Sequence, residues 1–197
     1  MTEKGVRKET VLKLCQEAAK KALKRYAKMS TGNLKTLRTA PKESVLQVLI
    51  SSELASPRLW VECEVSARAA LATNGLELPD FPDKKNPVFD IVGYTPKERR
   101  AKYFIEVKAA ADLAKLENEY EAKLRPARKA LAKAKNGRVV VQVAVTKVSD
   151  TQDGCLSLFR KERGAHAALH GLEAVKFVHP ESNDAVWIGV GVYEIKK

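Results

Sequence analysis

The chain reads as an α/β protein built around a mixed sheet, on three grounds. Apolar residues recur at helical spacing over 5–28, 42–55 and 111–135. They switch to alternation or to short apolar runs over 59–67, 86–94, 102–108 and 138–148, as strands do. The resulting order is helix, helix, three strands, helix, strand, helix, two strands, and this interleaving places helices against a sheet of mixed direction.

Residues 5–28 place Val11, Leu14, Ala18, Ala22 and Tyr26 on one side and lysines on the other. The Gly, Asn and Thr content of 29–41 predicts a linker, with Pro41 suited to opening the next helix. That helix, 42–55, carries Val45, Leu46, Leu49, Ile50 and Leu54 as its apolar stripe. In 59–67, Leu59, Val61, Cys63, Val65 and Ala67 face one way, while Trp60, Glu62, Glu64 and Ser66 face the other. Residues 73–86 form a loop rich in Pro, Asp and Asn, and a turn around Thr95-Pro96 joins the next two strands. A charged helix over 111–135 is interrupted at Pro126 and stopped by Gly137. Strand 138–148 follows, then a helix over 155–170 and strands at 173–179 and 185–195.

The chain has 197 residues, 45% of them hydrophobic, enough for a sizeable core. No apolar run spans a bilayer, and the first residues lack the apolar centre of a signal peptide. Cys15, Cys63 and Cys155 are odd in number and far apart, which argues against a disulfide framework and for buried thiols in a reducing, cytoplasmic compartment. Net charge is +12, which speaks to partners. Residues 1–40 hold 11 Lys/Arg against 3 Asp/Glu, and residues 97–138 hold 13 against 6, with a small acidic excess elsewhere. Two basic blocks around an acidic cluster suit a polyanion, and nucleic acid is the expected partner.

The chemistry concentrates between Asn86 and Lys108. Asp90 lies in the strand NPVFDIVGY, and Glu106 and Lys108 lie in KYFIEVK. Residues two apart on a strand project to the same face, so Glu106 and Lys108 point out together from a segment otherwise apolar at Tyr103, Ile105 and Val107. A buried carboxylate and ammonium are costly unless paired or bound to an ion. Two hard oxygen ligands and a neighbouring cation are what metal-assisted phosphodiester hydrolysis requires.

Segment 42–148 resembles the PD-(D/E)xK nuclease superfamily. Asp90, an apolar-Glu106-x-Lys108 strand and an acidic Glu43 on the preceding helix stand where that family's motif has them. The resemblance implies a restriction-endonuclease-like α-β-β-β-α-β core over residues 41–197, preceded by a basic helical extension over 1–40. It implies Mg²⁺, with Mn²⁺ as a substitute, held by Asp90, Glu106, the backbone carbonyl of Val107 and Glu43. Lys108 would orient or deprotonate the attacking water. The implied activity is a metal-dependent deoxyribonuclease, an endonuclease, with a phage or nucleoid setting and a homodimer both left open. Asp90 follows Phe89 rather than a proline, and the Gln-x-x-x-Tyr signature of the exonuclease members is missing, with only Tyr120 as an echo.

Alternatives remain at each position. Glu62 or Glu64 could replace Glu43, and Gln142 could face the same cleft. Singly, Asp90 reads as a strand-end turn residue, Glu106–Lys108 as a surface pair, and Glu43 as an acid favoured at a helix N-terminus. Pro79-Asp80 and Pro82-Asp83 lie in a loop and read as decoys. His166 and His170 have a zinc-compatible helical spacing without a third ligand. Gly189 and Gly191 suggest close packing in a late strand. The alternative function is a non-catalytic nucleic-acid-binding protein that keeps the nuclease fold. A further one is an assembly protein whose lysines only keep it soluble.

Overall fold

The computed structural model describes residues 8–29, 42–56, 59–81, 86–95, 99–133, 138–160, 167–178 and 185–196. Helices α1 (Lys8–Met29) and α2 (Glu43–Leu54) come first. Strand β1 (Trp60–Ser66) leads into helix α3 (Ala67–Ala72), and strands β2 (Val88–Tyr94) and β3 (Ala101–Ala111) follow. Next come α4 (Leu113–Glu119), one wide turn (Tyr120–Leu124) and α5 (Arg125–Leu131). Strand β4 (Val139–Thr146), helix α6 (Gln152–Leu156) with a tight turn at Ser157–Arg160, and strands β5 (Ala167–Val178) and β6 (Ala185–Ile195) complete the chain. The fold is mixed α/β, as expected.

Among the described residues six strands form one sheet in the order β1-β2-β3-β4-β6-β5. β1, β2 and β3 run as an antiparallel meander, β4 is parallel to β3, and β6 and β5 are antiparallel additions. β4 is buried at every position, which explains why VVVQVAVT reads as an apolar run rather than an alternation. One face carries α1 and α2 over Ile91, Tyr103, Ile105, Val107, Val141 and Val143. The other carries α3, α5 and the wide turn over Phe89, Phe104 and Val140.

The N-terminal helix, expected as an extension, sends Val11, Leu12, Cys15, Ala18, Ala19, Ala22 and Leu23 into the same core as α2 and the strands. Its buried stripe is rotated from the predicted one, and Leu14 is exposed. On α2 the buried residues are Leu46, Gln47, Ile50 and Leu54, so a glutamine occupies an inward position.

Several expectations are corrected. Residues 155–170 are not one helix. The helix ends early at Leu156, and 167–170 already belong to β5, whose eleven paired residues along β6 override a helical Ala/Leu composition. His170 is therefore a strand residue, bonded to Glu194 at 3.0 Å, and His166 lies outside the described residues. The segment 67–72, partly read as strand, is a helix capped by Ser66, whose Oγ accepts from Ala69 N–H. Cys63 is exposed rather than buried, while Cys15 and Cys155 are core residues, and burial pushes the Cys15 thiol up to about 12. Gly191 does reflect close packing, because a Cβ there would run into the Phe159 ring. The expected linker beyond residue 29, Pro41, Pro82-Asp83, Pro96 and Gly137 fall outside the described residues. Among the described residues no helix is long and apolar enough to cross a membrane.

Candidate functional site

The site forms where β2 and β3 part. Their ladder runs from Tyr94↔Ala101 to Ile91↔Ile105 and stops. At the next position Asp90 Oδ2 accepts the Val107 N–H at 2.6 Å, so a side chain stands where the strand bond would be. The β1 strand is distorted at the same level. Cys63 pairs with Ile91 and Val65 with Phe89, leaving Glu64 between them at φ 55. At the far end of β3, Ala110 adopts φ 48, and the register with β4 shifts between Lys108 and Ala111. Left-handed backbone costs a non-glycine residue about 1–3 kcal/mol, and it collects where surrounding structure over-determines a site.

Gln47 explains why α2 turns a glutamine inward. Its Nε2 donates to the Asp90 carbonyl at 2.7 Å and to Glu64 Oε1 at 2.6 Å, tying α2, β1 and β2 together. Of the two alternatives on β1, Glu64 joins this network, whereas Glu62 bonds the Tyr94 hydroxyl and raises its pKa, after burial as the larger cause. Glu43, the first residue of α2, accepts the Ala109 N–H at 3.2 Å and meets Lys108 Nζ at 3.1 Å.

Lys108 also lies 3.2 Å from Glu119 and 3.5 Å from Glu106. Burial would lower its pKa, but the carboxylates of Glu106, Glu119 and Glu43 outweigh burial and hold it above the usual lysine range. Lys108 is thus an ammonium at neutral pH.

Glu106 is 1% exposed. Burial, with added repulsion from Asp90 and Glu119, pushes its carboxyl well above the ordinary range despite Lys123. Asp90 is raised as well, chiefly by burial, with the Val107 N–H and Lys123 pulling the other way. Burial also acts on Glu119, but Lys123 and Lys108 overcome it and keep that carboxyl low.

The predicted residues Asp90, Glu106, Val107, Lys108 and Glu43 are therefore brought together. Gln142 is buried on β4 in register with Glu106. Pro79 and Asp80 line a 420 Å³ surface cavity with Phe81, Glu121, Arg125, Pro126 and Lys129, away from the fork residues.

Sequence reading missed Gln47, Glu119 and Lys123. Lys123 Nζ lies 2.5 Å from Glu106 Oε2 and 3.2 Å from Glu119 Oε1, and it donates to the Val88 carbonyl at 2.7 Å. The wide turn delivers it there. Arg125 N–H reaches back five residues to the Tyr120 carbonyl, and Pro126 has no N–H with which to continue the ordinary ladder. The four-residue spacing of Glu119 and Lys123 was the available signal, and a surface i,i+4 pair was its simplest reading.

Among the described residues no three His, Cys, Asp or Glu side chains gather as a group able to hold a metal ion. Magnesium does not need three, because it takes one or two carboxylates and fills its shell with water and phosphate oxygens. Asp90 and Glu106, with the Val107 carbonyl, supply hard oxygens of that kind. Glu43, Asp90, Glu106 and Glu119 outnumber Lys108 and Lys123, an acidic excess of the kind a cation offsets. In donor type and charge the residues fit. Comparison of the chain with protein-family models, curated proteins and solved structures returns no match.

Proposed function

We propose that this chain is a divalent-metal-dependent nuclease of the PD-(D/E)xK type that hydrolyses phosphodiester bonds in DNA. The observation that carries the reading is the fork. Asp90 closes onto the Val107 N–H, next in the chain to Glu106, where β2 and β3 separate, with Lys108 against Glu106 and Glu43 against Lys108. The strand arrangement supports the same reading, since a β1-β2-β3 meander followed by a helix and a parallel β4 is the order that the α-β-β-β-α-β core requires.

Asp90, Glu106 and the Val107 carbonyl would hold the ion, which when bound supplies Lewis-acid polarisation of the scissile phosphate. Lys108, held among Glu43, Glu106 and Glu119, would orient or deprotonate the attacking water and offset charge on the phosphate. Glu43 fixes the Lys108 ammonium, and Gln47 fixes the Asp90 backbone. The basic surface of α1 and α5 would meet the phosphate backbone.

A second reading, a nucleic-acid-binding protein that keeps the fold without cleavage, is favoured by one feature. Lys123 already neutralises Glu106.

A cleavage assay separates them. Supercoiled plasmid, linear duplex, single strand and RNA are incubated with Mg²⁺, Mn²⁺ or EDTA, beside Asp90→Asn and Lys108→Ala. Metal-dependent cutting that falls at least about 10³-fold in both variants, with salt-sensitive binding kept, is the expected result. Binding without cutting under every metal selects the second reading, and full activity in either variant removes the assigned site.

A further inference from the structure

Lys123 is a lysine at 8% exposure, and its ammonium is surrounded as a metal ion would be. Three oxygens approach it: Glu106 Oε2 at 2.5 Å, the Val88 carbonyl at 2.7 Å and Glu119 Oε1 at 3.2 Å. Its Nζ sits over the Phe89 ring, 5.6 Å from the ring centre. Glu106 Oε2 is sealed from solvent, with the Lys123 ammonium closed against it. A cation with no directional requirement could take that place once the ammonium withdraws. Two carboxylates and a carbonyl form a hard-oxygen set, and the wide turn that carries Lys123 is a local widening of the helix.

We propose that the Lys123 ammonium holds the place of a divalent cation, and that Glu119 is a further ligand to that ion once it enters. Entry requires the ammonium to leave Glu106 and Glu119, so ion and lysine compete for the same oxygens. The resting protein then carries its own counter-charge, which keeps the buried Glu106 from standing alone. This inference rests on the metal-dependent reading above, and it adds a ligand and a competitor to it.

The test is Mn²⁺ titration of the full chain by calorimetry, comparing wild type, Lys123→Met, Asp90→Asn and the double variant Lys123→Met/Glu119→Gln, with folding checked by circular dichroism. The expected result is Mn²⁺ binding at least about tenfold tighter in Lys123→Met than in wild type, with the gain lost in the double variant. Equal or weaker binding in a folded Lys123→Met protein overturns the inference, and so does a double variant that keeps the gain. If wild-type binding is lost in Asp90→Asn yet unchanged in Lys123→Met, the inference fails alone and the metal-dependent reading stands. If no folded protein binds Mn²⁺ at millimolar concentration, both fail.

Should Lys123→Met not fold, the wild type carries the test by NMR. The Lys123 ε-methylene signal, shifted by the Phe89 ring, moves toward its free-lysine position as Mg²⁺ is added. A signal that stays fixed while Mg²⁺ binds overturns the proposal.

Discussion

Two buried glutamates have opposite neighbourhoods. Glu106 is 1% exposed and Glu194 is 6% exposed, and each lies against more than one cation. Around Glu194 the cations outnumber the acid, with Lys8 at 3.2 Å and Lys196 at 2.5 Å, and a His170 ring nitrogen lies at 3.0 Å. Burial pushes its carboxyl up, but Lys196 and Lys8 prevail and hold it below the ordinary range. Around Glu106 the acids outnumber the bases, and its carboxyl is driven well up. Depth adds to the contrast. Glu194 sits under side chains that themselves reach solvent, whereas Glu106 lies inside the sheet with Lys123 closed over it. Burial alone therefore does not separate the two carboxylates. The balance of neighbouring charge does, because a surplus of negative charge is stable only while a proton, an ammonium or a metal ion is at hand.

The largest test of this contrast is activity. Glu106→Gln keeps the shape and removes the charge, and cleavage is expected to fall at least about 10³-fold, while Glu194→Gln cleaves like wild type. Equal losses in the two variants would erase the distinction between them.

A smaller effect is expected at the support. Gln47 bonds the Asp90 carbonyl and Glu64, and no such inward amide braces Glu194 among the bonds described. Gln47→Leu should lower kcat about 10–100-fold and leave DNA affinity within about twofold, as loss of an outer support does. A rise in Kd matching the fall in kcat would instead mean that α2 has moved.

The smallest effect is on stability, and its sign differs between the two glutamates. A carboxyl raised in the folded state binds its proton more tightly there than in the unfolded chain. Its contribution is therefore present below the unfolded value near 4.5 and is lost as pH rises toward the folded value. For Glu194, lowered in the folded state, the contribution is present above that value and is lost as pH falls. Urea denaturation from pH 3 to pH 8 without metal should show Glu106→Gln gaining stability relative to the wild type as pH rises, and Glu194→Gln losing stability relative to it. Parallel curves would show that neither glutamate is coupled to folding as described.

The contrast was only half legible in the sequence. Asp90, Glu106 and Lys108 are close together in the chain, and the period of a strand is enough to place Glu106 and Lys108 on one face. β6 and β4 announced themselves through unbroken apolar runs. Glu119 and Lys123 did not, because their position depends on a widened helical turn that a three-to-four-residue period does not encode. Gln47 was hidden among apolar neighbours on α2, where a polar residue reads as part of the solvent face. The late helix failed for a related reason. AALH, residues 167–170, has the local composition of a helix, and only its pairing with β6, a non-local contact, makes it the start of a strand whose later part was expected over 173–179.

Glu64 and Ala110 bracket the fork in left-handed backbone. Glycine at Ala110 would relieve that torsion without touching a carboxylate, and glycine at Glu64 would relieve it with loss of the carboxylate that Gln47 bonds, but either would also free the segment that holds Asp90 or Lys108 in place. Laboratory selection for heat resistance and selection for turnover should then reach residues 64 and 110 with opposite preferences. The two positions would then trade durability against the turnover proposed for the chain.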